Sequence, residues 1–365
     1  MRVALLVTDL ERGGTPLRLV RLARGLSAAG VEVHAGCLAP RGPLSSELTA
    51  AGLATFACDA EDARDFLALK RLSQHMRRVQ PDLIHATLLH ANVAARIVGG
   101  VQHIPVVGAT ATIEVERPWH RALERATAGL DRAHIVNSHA VAEHVIRVFG
   151  VPRRRVHIVP PSLDPWPRRV ERAAARAALG IPAHEFVVAW VGRLDPVKRL
   201  GLIVSCAEIM TTVPVRFLLA GEGPERANLE RSLRLSSAAR VVHLLGWQAD
   251  IGAVLSAADA FLCPSRTEGM PNAVLEALAC GVPVVASDIP ALRELAGAHG
   301  HIVLVRGSAA QDYVAALLKL RADEPARRAL GQSAADWARA HLDPQATVQA
   351  VLKVYQGVLR HTPAR

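Results

Sequence analysis

Apolar residues along the chain fall into short continuous runs, separated by longer stretches in which they recur every three or four positions. Runs at 2–8 (RVALLVT), 31–38, 53–57, 82–85 (DLIH), 104–108, 133–137 and 156–160 read as strands. Between them helical spacing holds, as with Leu17, Val20, Leu22 and Leu26. Strands apolar on both faces belong to a parallel sheet covered on each side, and parallel neighbours need helical crossovers. The pattern breaks at 160–182, PPSLDPWPRRVERAAARAALGIP, where five prolines precede and follow a basic, alanine-rich helix. It restarts at 186–191 (FVVAWV), 215–220 (VRFLLA), 240–244, 259–263, 283–286 and 301–305. The expected fold is therefore α/β, with two doubly wound Rossmann-like domains facing across a cleft. The expected boundaries are a first domain over 1–165, a linker over 166–183 and a second domain over 184–343. An amphipathic helix over 344–365 could pack on either domain. Open parallel sheets bind ligands beyond the carboxyl ends of their strands, so the loops after strands are where chemistry is expected.

Composition narrows the partners. The 365 residues carry a formal charge of +10, and 39 of the 43 basic residues are arginine. The charge suits an anionic membrane surface or a phosphorylated substrate, while the arginine excess is equally what genome base composition alone produces without any function. Nucleic acid is not expected, because the basic residues are dispersed and aromatics make up 4% of the chain, too few for base stacking. Cys37, Cys58, Cys206, Cys263 and Cys280 form no C-x-x-C pair and have no nearby histidine at metal-ligand spacing, so they read as buried free thiols in a reducing compartment. MRVALLVTDLERGG lacks the plan of a signal peptide, and no apolar run reaches the ~18 residues of a membrane span. A cytoplasmic location is expected. Peripheral contact with the inner face of an anionic membrane is one reading of 116–132, ERPWHRALERATAGLDR; a solvated helix with its apolar side in the core is the other.

Four loops carry candidate chemistry. After the first strand, Gly13-Gly14 opens a helix, with Thr15 as its N-cap and Pro16 in its first turn; an anion-binding loop and an ordinary turn both fit. GEGPER, 221–226, resembles a dinucleotide fingerprint but has Arg226 where the third glycine belongs, which argues against a nicotinamide site. In VGRLDPVKRL, Arg193 and Lys198 flank a turn, and Lys198 is expected to start the next helix; two fixed cations there could neutralise a diphosphate. No D-x-D triplet occurs, and neither a metal nor a cofactor is expected. In EGMPNAVLEALACGVPVVASDIP, 268–290, Gly269 frees the backbone and Pro271 suits a helix start. Amides around Asn272 and Ala273 would meet a phosphate, Glu276 one turn on would accept from vicinal hydroxyls, and Glu268 would stay in the loop near a sugar. A carboxylate beside a phosphate site makes sense only facing hydroxyls, which points to a nucleotide sugar.

GRLDPVKR, GEGPER, HLLGW and EGMPNAVLEALACGVPVVASDIP occur in the order and spacing of the family 4 retaining glycosyltransferases of GT-B fold, which this sequence resembles along its whole length and most specifically over 187–290. The resemblance makes the first domain the acceptor side and the second the nucleotide-sugar side, with the last helix returning to the first. It implies catalytic roles for Glu268, Arg193 and Lys198. It implies donor contacts for Gly13, Gly14, Gly269, Met270, Pro271, Asn272, Ala273 and Glu276, with the base on backbone near Leu245. It departs from the family after the fifth strand, where a histidine is usual: VVGATATIE places Ala109, Thr110 and Ala111 there. His85 and His90, in LIHATLLHAN, and Thr110 are the remaining candidates to meet sugar or acceptor. The implied activity is transfer of a hexose, with retention, from a UDP- or GDP-sugar to a hydroxyl of a glycan, lipid-linked or small-molecule acceptor, as in cell-surface polysaccharide synthesis. A donor-binding scaffold that has lost catalysis and a sugar-nucleotide epimerase of the same fold are the alternatives.

Overall fold

A computed structural model describes residues 1–62, 65–113, 117–297 and 300–361. The chain divides into two compact units, one built from Met1–Ser162 and the chain from Asp343 onward, the other from Leu163–Leu342. The first holds a seven-stranded sheet of β1 (Arg2–Val7), β2 (Glu32–Cys37), β3 (Ala54–Ala57), β4 (Leu83–Thr87), β5 (Val106–Thr110), β6 (Ala133–Val136) and β7 (Val156–Ile158), in the order β3-β2-β1-β4-β5-β6-β7. The second holds β8 (Phe186–Val191), β9 (Val215–Ala220), β10 (Val242–Gly246), β11 (Ala260–Cys263), β12 (Val284–Ser287) and β13 (Ile302–Val305), in the order β10-β9-β8-β11-β12-β13. The pairings in both sheets are parallel.

The continuous apolar runs have a direct physical outcome. Along β1, Val3, Leu5 and Val7 point into one core while Ala4 and Leu6 point into the other, as a period of two requires. In β8, Val187 and Ala189 face one layer, and Phe186, Val188 and Trp190 face the opposite one. Helices between strands begin on side-chain caps where the sequence supplies them: Asp65 accepts from the amides of Leu67 and Ala68, and Ser138 from that of Val141.

Three local expectations change. The helix Gly14–Ala28 begins on Gly13, with no side-chain cap bond, so Thr15 lies inside the first turn. The stretch 166–183 is part of the second unit: the helix Arg172–Ala178 buries Ala175, and Arg172 and Arg176 both pair with Asp259 at 2.6 and 2.7 Å. In the helix Pro118–Thr127 the buried residue is Glu124, with Trp119 46% exposed. That helix is held by charge: Glu124 Oε2 lies 2.6 Å from Arg96, whose side chain is fully buried. Residues 114–116, where the expected helix begins, lie outside the described residues. The helix Pro344–Arg360, capped by Asp343, packs Val348, Val351, Val354, Tyr355 and Val358 into the core of the first unit. Among the described residues no helix is long and apolar enough to cross a membrane.

Candidate functional site

The second unit gathers most of the candidates at the carboxyl ends of its strands. After β9 the loop lies directly on the loop after β8: Leu194 donates to Glu222 O at 2.9 Å, Glu225 to Leu194 O at 3.0 Å and Gly192 to Ala220 O at 3.0 Å. This approach requires glycine. A Cβ on Gly221 (φ +146°) would sit 1.8 Å from Gly192 O, and one on Gly223 (φ +159°) 2.5 Å from Leu194 O. The glycines of GEGPER therefore build the platform that carries Arg193.

Arg193 stands on that platform with its side chain 64% exposed and Asp195 paired to it at 3.8 Å, so its guanidinium is accessible to a ligand. Lys198 differs from the expected helix start. It closes the short 3-10 turn Pro196–Lys198, and Arg199, at φ +55°, separates that turn from the helix Leu200–Ile209. Lys198 Nζ donates to Glu268 Oε1 at 2.6 Å, with side-chain exposures of 22% and 8%. Burial works against the Lys198 ammonium, but the charge and hydrogen bond of Glu268 outweigh it, helped by Asp195, and its pKa rises. Burial, with the Glu268 charge adding to it, pushes the Cys263 thiol to about 11, so no thiolate competes for the lysine at neutral pH. Sequence reasoning placed Lys198 on a phosphate and Glu268 on a sugar; it missed that they hold each other, 70 residues apart.

Beyond Glu268, Gly269, Met270 and Pro271 are buried, and Pro271 is the N-cap of the helix Asn272–Ala279. The proline sets the turn: its carbonyl accepts from Val274 at 3.1 Å and Leu275 at 3.2 Å. Val274, Leu275 and Leu278 anchor the helix in the core, so Asn272, Ala273 and Glu276 share its half-buried side. First-turn amides of any helix lack intrahelical partners and carry positive potential, which suits a phosphate; Glu276 lies one turn further on. Leu245 is half-buried in β10, and its carbonyl accepts from Gln248 Nε2 at 2.8 Å. A cavity of about 450 Å³ beside the platform is lined by Asp195, Arg199, Leu200, Glu225 and Arg266, none of them a predicted ligand. Among the described residues no group of three or more His, Cys, Asp or Glu is placed to hold a metal.

The remaining candidates belong to the first unit. Gly13 and Gly14 open the helix after β1. His85 lies within β4, 4% exposed, its Nδ1 2.6 Å from the Tyr355 hydroxyl. Burial, with the neighbouring His134 charge adding to it, lowers its pKa to about 4. This is a packing histidine that ties the last helix to the sheet. His90 sits in the first turn of the helix Leu89–Gln102, after Leu88 at φ +77°, with its ring near Trp119 and His120 and its pKa lowered by burial. Thr110 ends β5, its Oγ1 3.0 Å from His134 Nε2.

Comparison with known proteins finds a family match in each of the two units. Residues 12–166 match the family described as Glycosyltransferase Family 4, and residues 185–323 that described as Glycosyl transferases group 1. A D-inositol 3-phosphate glycosyltransferase of Nocardia farcinica is 32% identical over 62% of this chain and 52% of its own length. One of Kineococcus radiotolerans is 34% identical over 63% and 58%. The chain thus spans about half the length of the curated relatives it matches. Among solved structures, Anabaena HepE in complex with UDP and glucose superposes with a TM-score of 0.87 at 20% identity, covering 98% of this chain and 100% of that one. Sucrose-phosphate synthase of Thermosynechococcus elongatus gives 0.83 at 20% identity, covering 99% and 100%. The fold is GT-B.

Proposed function

This chain belongs to the family 4 glycosyltransferases, and we propose that it moves a hexose, with retention of configuration, from a UDP- or GDP-sugar to a hydroxyl of a glycan, lipid-linked or small-molecule acceptor. The observation that carries this reading is the Lys198–Glu268 pair in the loops beside the first turn of the helix Asn272–Ala279. A diphosphate arriving there meets helix amides, an ammonium whose pKa is raised, and an exposed guanidinium on Arg193. When the phosphate takes Lys198, Glu268 is released to accept from sugar hydroxyls, and Glu276 accepts from the ribose. The two cations stabilise the leaving diphosphate, whose own oxygen assists the incoming hydroxyl on the same face. This scheme uses no metal ion, and dialysis against EDTA is expected to leave turnover unchanged. The HepE complexes with UDP, glucose and UDP-glucose favour a uridine donor.

Glu276→Ala tests the assignment. Losing a charged hydrogen-bond acceptor removes roughly 1.5–3 kcal/mol, so UDP-glucose affinity, measured by calorimetry, is expected to fall about 10- to 100-fold. Unchanged affinity and unchanged transfer would overturn the reading. Product analysis separates transfer from epimerisation, and turnover of any nucleotide sugar removes the scaffold reading.

A further inference from the structure

Basic residues that lie dispersed along the sequence are gathered by the fold on one face of the first unit. Residues 117–158 carry eight arginines, no lysine and three carboxylates. Two of these carboxylates, Glu124 and Asp131, are buried on Arg96. The third, Glu143, is shared by Arg147 at 3.2 Å and Arg153 at 2.7 Å. Outside the buried cluster the segment thus sets eight positive charges against one negative, an excess of seven in a chain whose whole formal charge is +10.

Strand pairing makes these residues neighbours. β6 lies between β5 and β7, and the pairing of His134 with Val156 sets Arg132 level with Arg154 at the amino ends of β6 and β7. Arg155 Nη1 ties the turn before β7 to the end of the preceding helix, donating to Gly129 O at 2.7 Å and Asp131 O at 2.8 Å. Along the helix Pro118–Thr127, Arg117, Arg121 and Arg125 recur every four positions, one above another over roughly 12 Å. Like charges at that spacing weaken a helix, and Arg117 at the N-cap stands where the dipole disfavours a cation. No acidic residue in the first turn offsets them. Arg121, Arg125, Arg132 and Arg154 are exposed, and none has a carboxylate within 4.0 Å among the described residues. Glu114 and Glu116, just ahead of Arg117, lie outside the described residues, and the four arginines beyond it carry the inference.

The residues between the arginines decide which anion fits. Ala122, Ala126 and Gly129, small and exposed, form the outward side of the helix and of the turn after it. A bilayer surface calls for a large continuous apolar face, but Leu123 is half-buried and the exposed Trp119 and Leu130 stand at opposite ends, about 17 Å apart. Single-stranded nucleic acid calls for rings on which bases stack, and none stands between these arginines. A glycan bearing spaced negative charges needs neither. Small residues let it lie flat, and a guanidinium grips a carboxylate or phosphodiester through two parallel N–H bonds.

We propose that this face is a docking rail for an acidic glycan, the acceptor chain of the proposed transfer, with Arg121, Arg125, Arg132 and Arg154 as its anion contacts. Calling the chain an acceptor rests on the glycosyltransferase reading; the binding rests on the charge distribution. Uronate and phosphodiester glycans share the chemistry that this rail recognises.

The test uses the full chain and fluorescence anisotropy with labelled oligogalacturonate, labelled poly(glycerol phosphate) and labelled neutral dextran. At about 50 mM salt at least one polyanion is expected to bind and dextran is not, and about 500 mM salt should release it. Arg121→Gln with Arg125→Gln keeps good helix formers in place and is expected to weaken binding about fivefold or more. Arg321→Gln with Arg328→Gln removes the same charge from exposed positions of the second unit and should change binding less than about twofold. Arg121→Lys with Arg125→Lys keeps the charge without the fork and should recover part of the loss. The ratio of the two polyanion affinities tells a carboxylate chain from a phosphodiester one. Dextran bound as tightly as the polyanions, no polyanion bound, or equal losses in the two glutamine variants would overturn the inference. So would preference for phosphatidylserine vesicles or for oligo(dT) over both glycans. Failure of UDP to bind would instead count against the glycosyltransferase reading, and the glycan titrations would still decide what this face holds.

Discussion

A half-buried lysine and a buried glutamate holding each other at 2.6 Å lock both side chains in one geometry before any ligand arrives. Removing either partner strands the other as a poorly solvated charge. Glu268→Gln and Lys198→Met are each expected to cost roughly 3 kcal/mol of stability in urea unfolding, and the double variant less than the sum. Additive costs would mean that the two side chains act separately. Turnover should respond differently from stability, because both residues also meet the donor in the proposed mechanism: the double variant regains stability without regaining transfer. Such residue identities were legible in the sequence, since the glutamates, the lysine and Arg193 sit in short motifs. Their partners were not. Lys198 and Glu268 are 70 positions apart, His85 and Tyr355 are 270 apart, and no local pattern records a contact over such distances.

Elements were easier to read than contacts, for a physical reason. A strand buried on both faces needs an unbroken apolar run, and each of the thirteen runs became a strand with ends shifted by at most a few residues. Helix faces were harder. The helix Pro118–Thr127 looked like an apolar stripe beside arginines, yet Glu124 is what it buries, because Arg96 on a neighbouring helix needs a second counter-charge besides Asp131. Glu124→Ala is therefore expected to cost about 3–5 kcal/mol, a loss unusual for a helix so exposed elsewhere, and a cost below 1 kcal/mol would contradict this docking. The glycine loop after β9 gives a second prediction at this scale. Gly221→Ala forces a Cβ toward the carbonyl of Gly192 at a φ that alanine rarely adopts. Both the steric and the conformational cost act together, so a loss of about 3 kcal/mol or more is expected in denaturant unfolding, with weaker UDP-glucose binding because the Arg193 platform moves. Wild-type stability in this variant would show that the loops tolerate separation.

At the scale of the whole chain, two units with separate cores are subject to separate levers, and calorimetry can address them one at a time. In the proposed function nucleotide binds the folded second unit, so saturating UDP at 100 times its Kd should add about 2.7 kcal/mol to that transition alone. Acid should act on the first. His85 is buried at the joint between β4 and the last helix and protonates in the native state only near pH 4, while an unfolded histidine protonates near 6.5. Between those values the unfolded state binds more protons, so stability falls as the pH drops from about 6.5 towards 4 and is flat above that window. The full difference is worth roughly 3 kcal/mol. The transition of the first unit should accordingly move down by several degrees between pH 7 and 4.5, with the UDP-sensitive transition less affected. His75, half-buried beside Phe56 and also lowered to about 4, titrates in the same window, so the source must be isolated by substitution. His85→Gln keeps a polar partner for the Tyr355 hydroxyl but carries no titrating group, and it should remove about half of the acid limb, the rest being left to His75. An acid shift of full size in that variant would move the origin of the effect away from the joint that fastens the last helix.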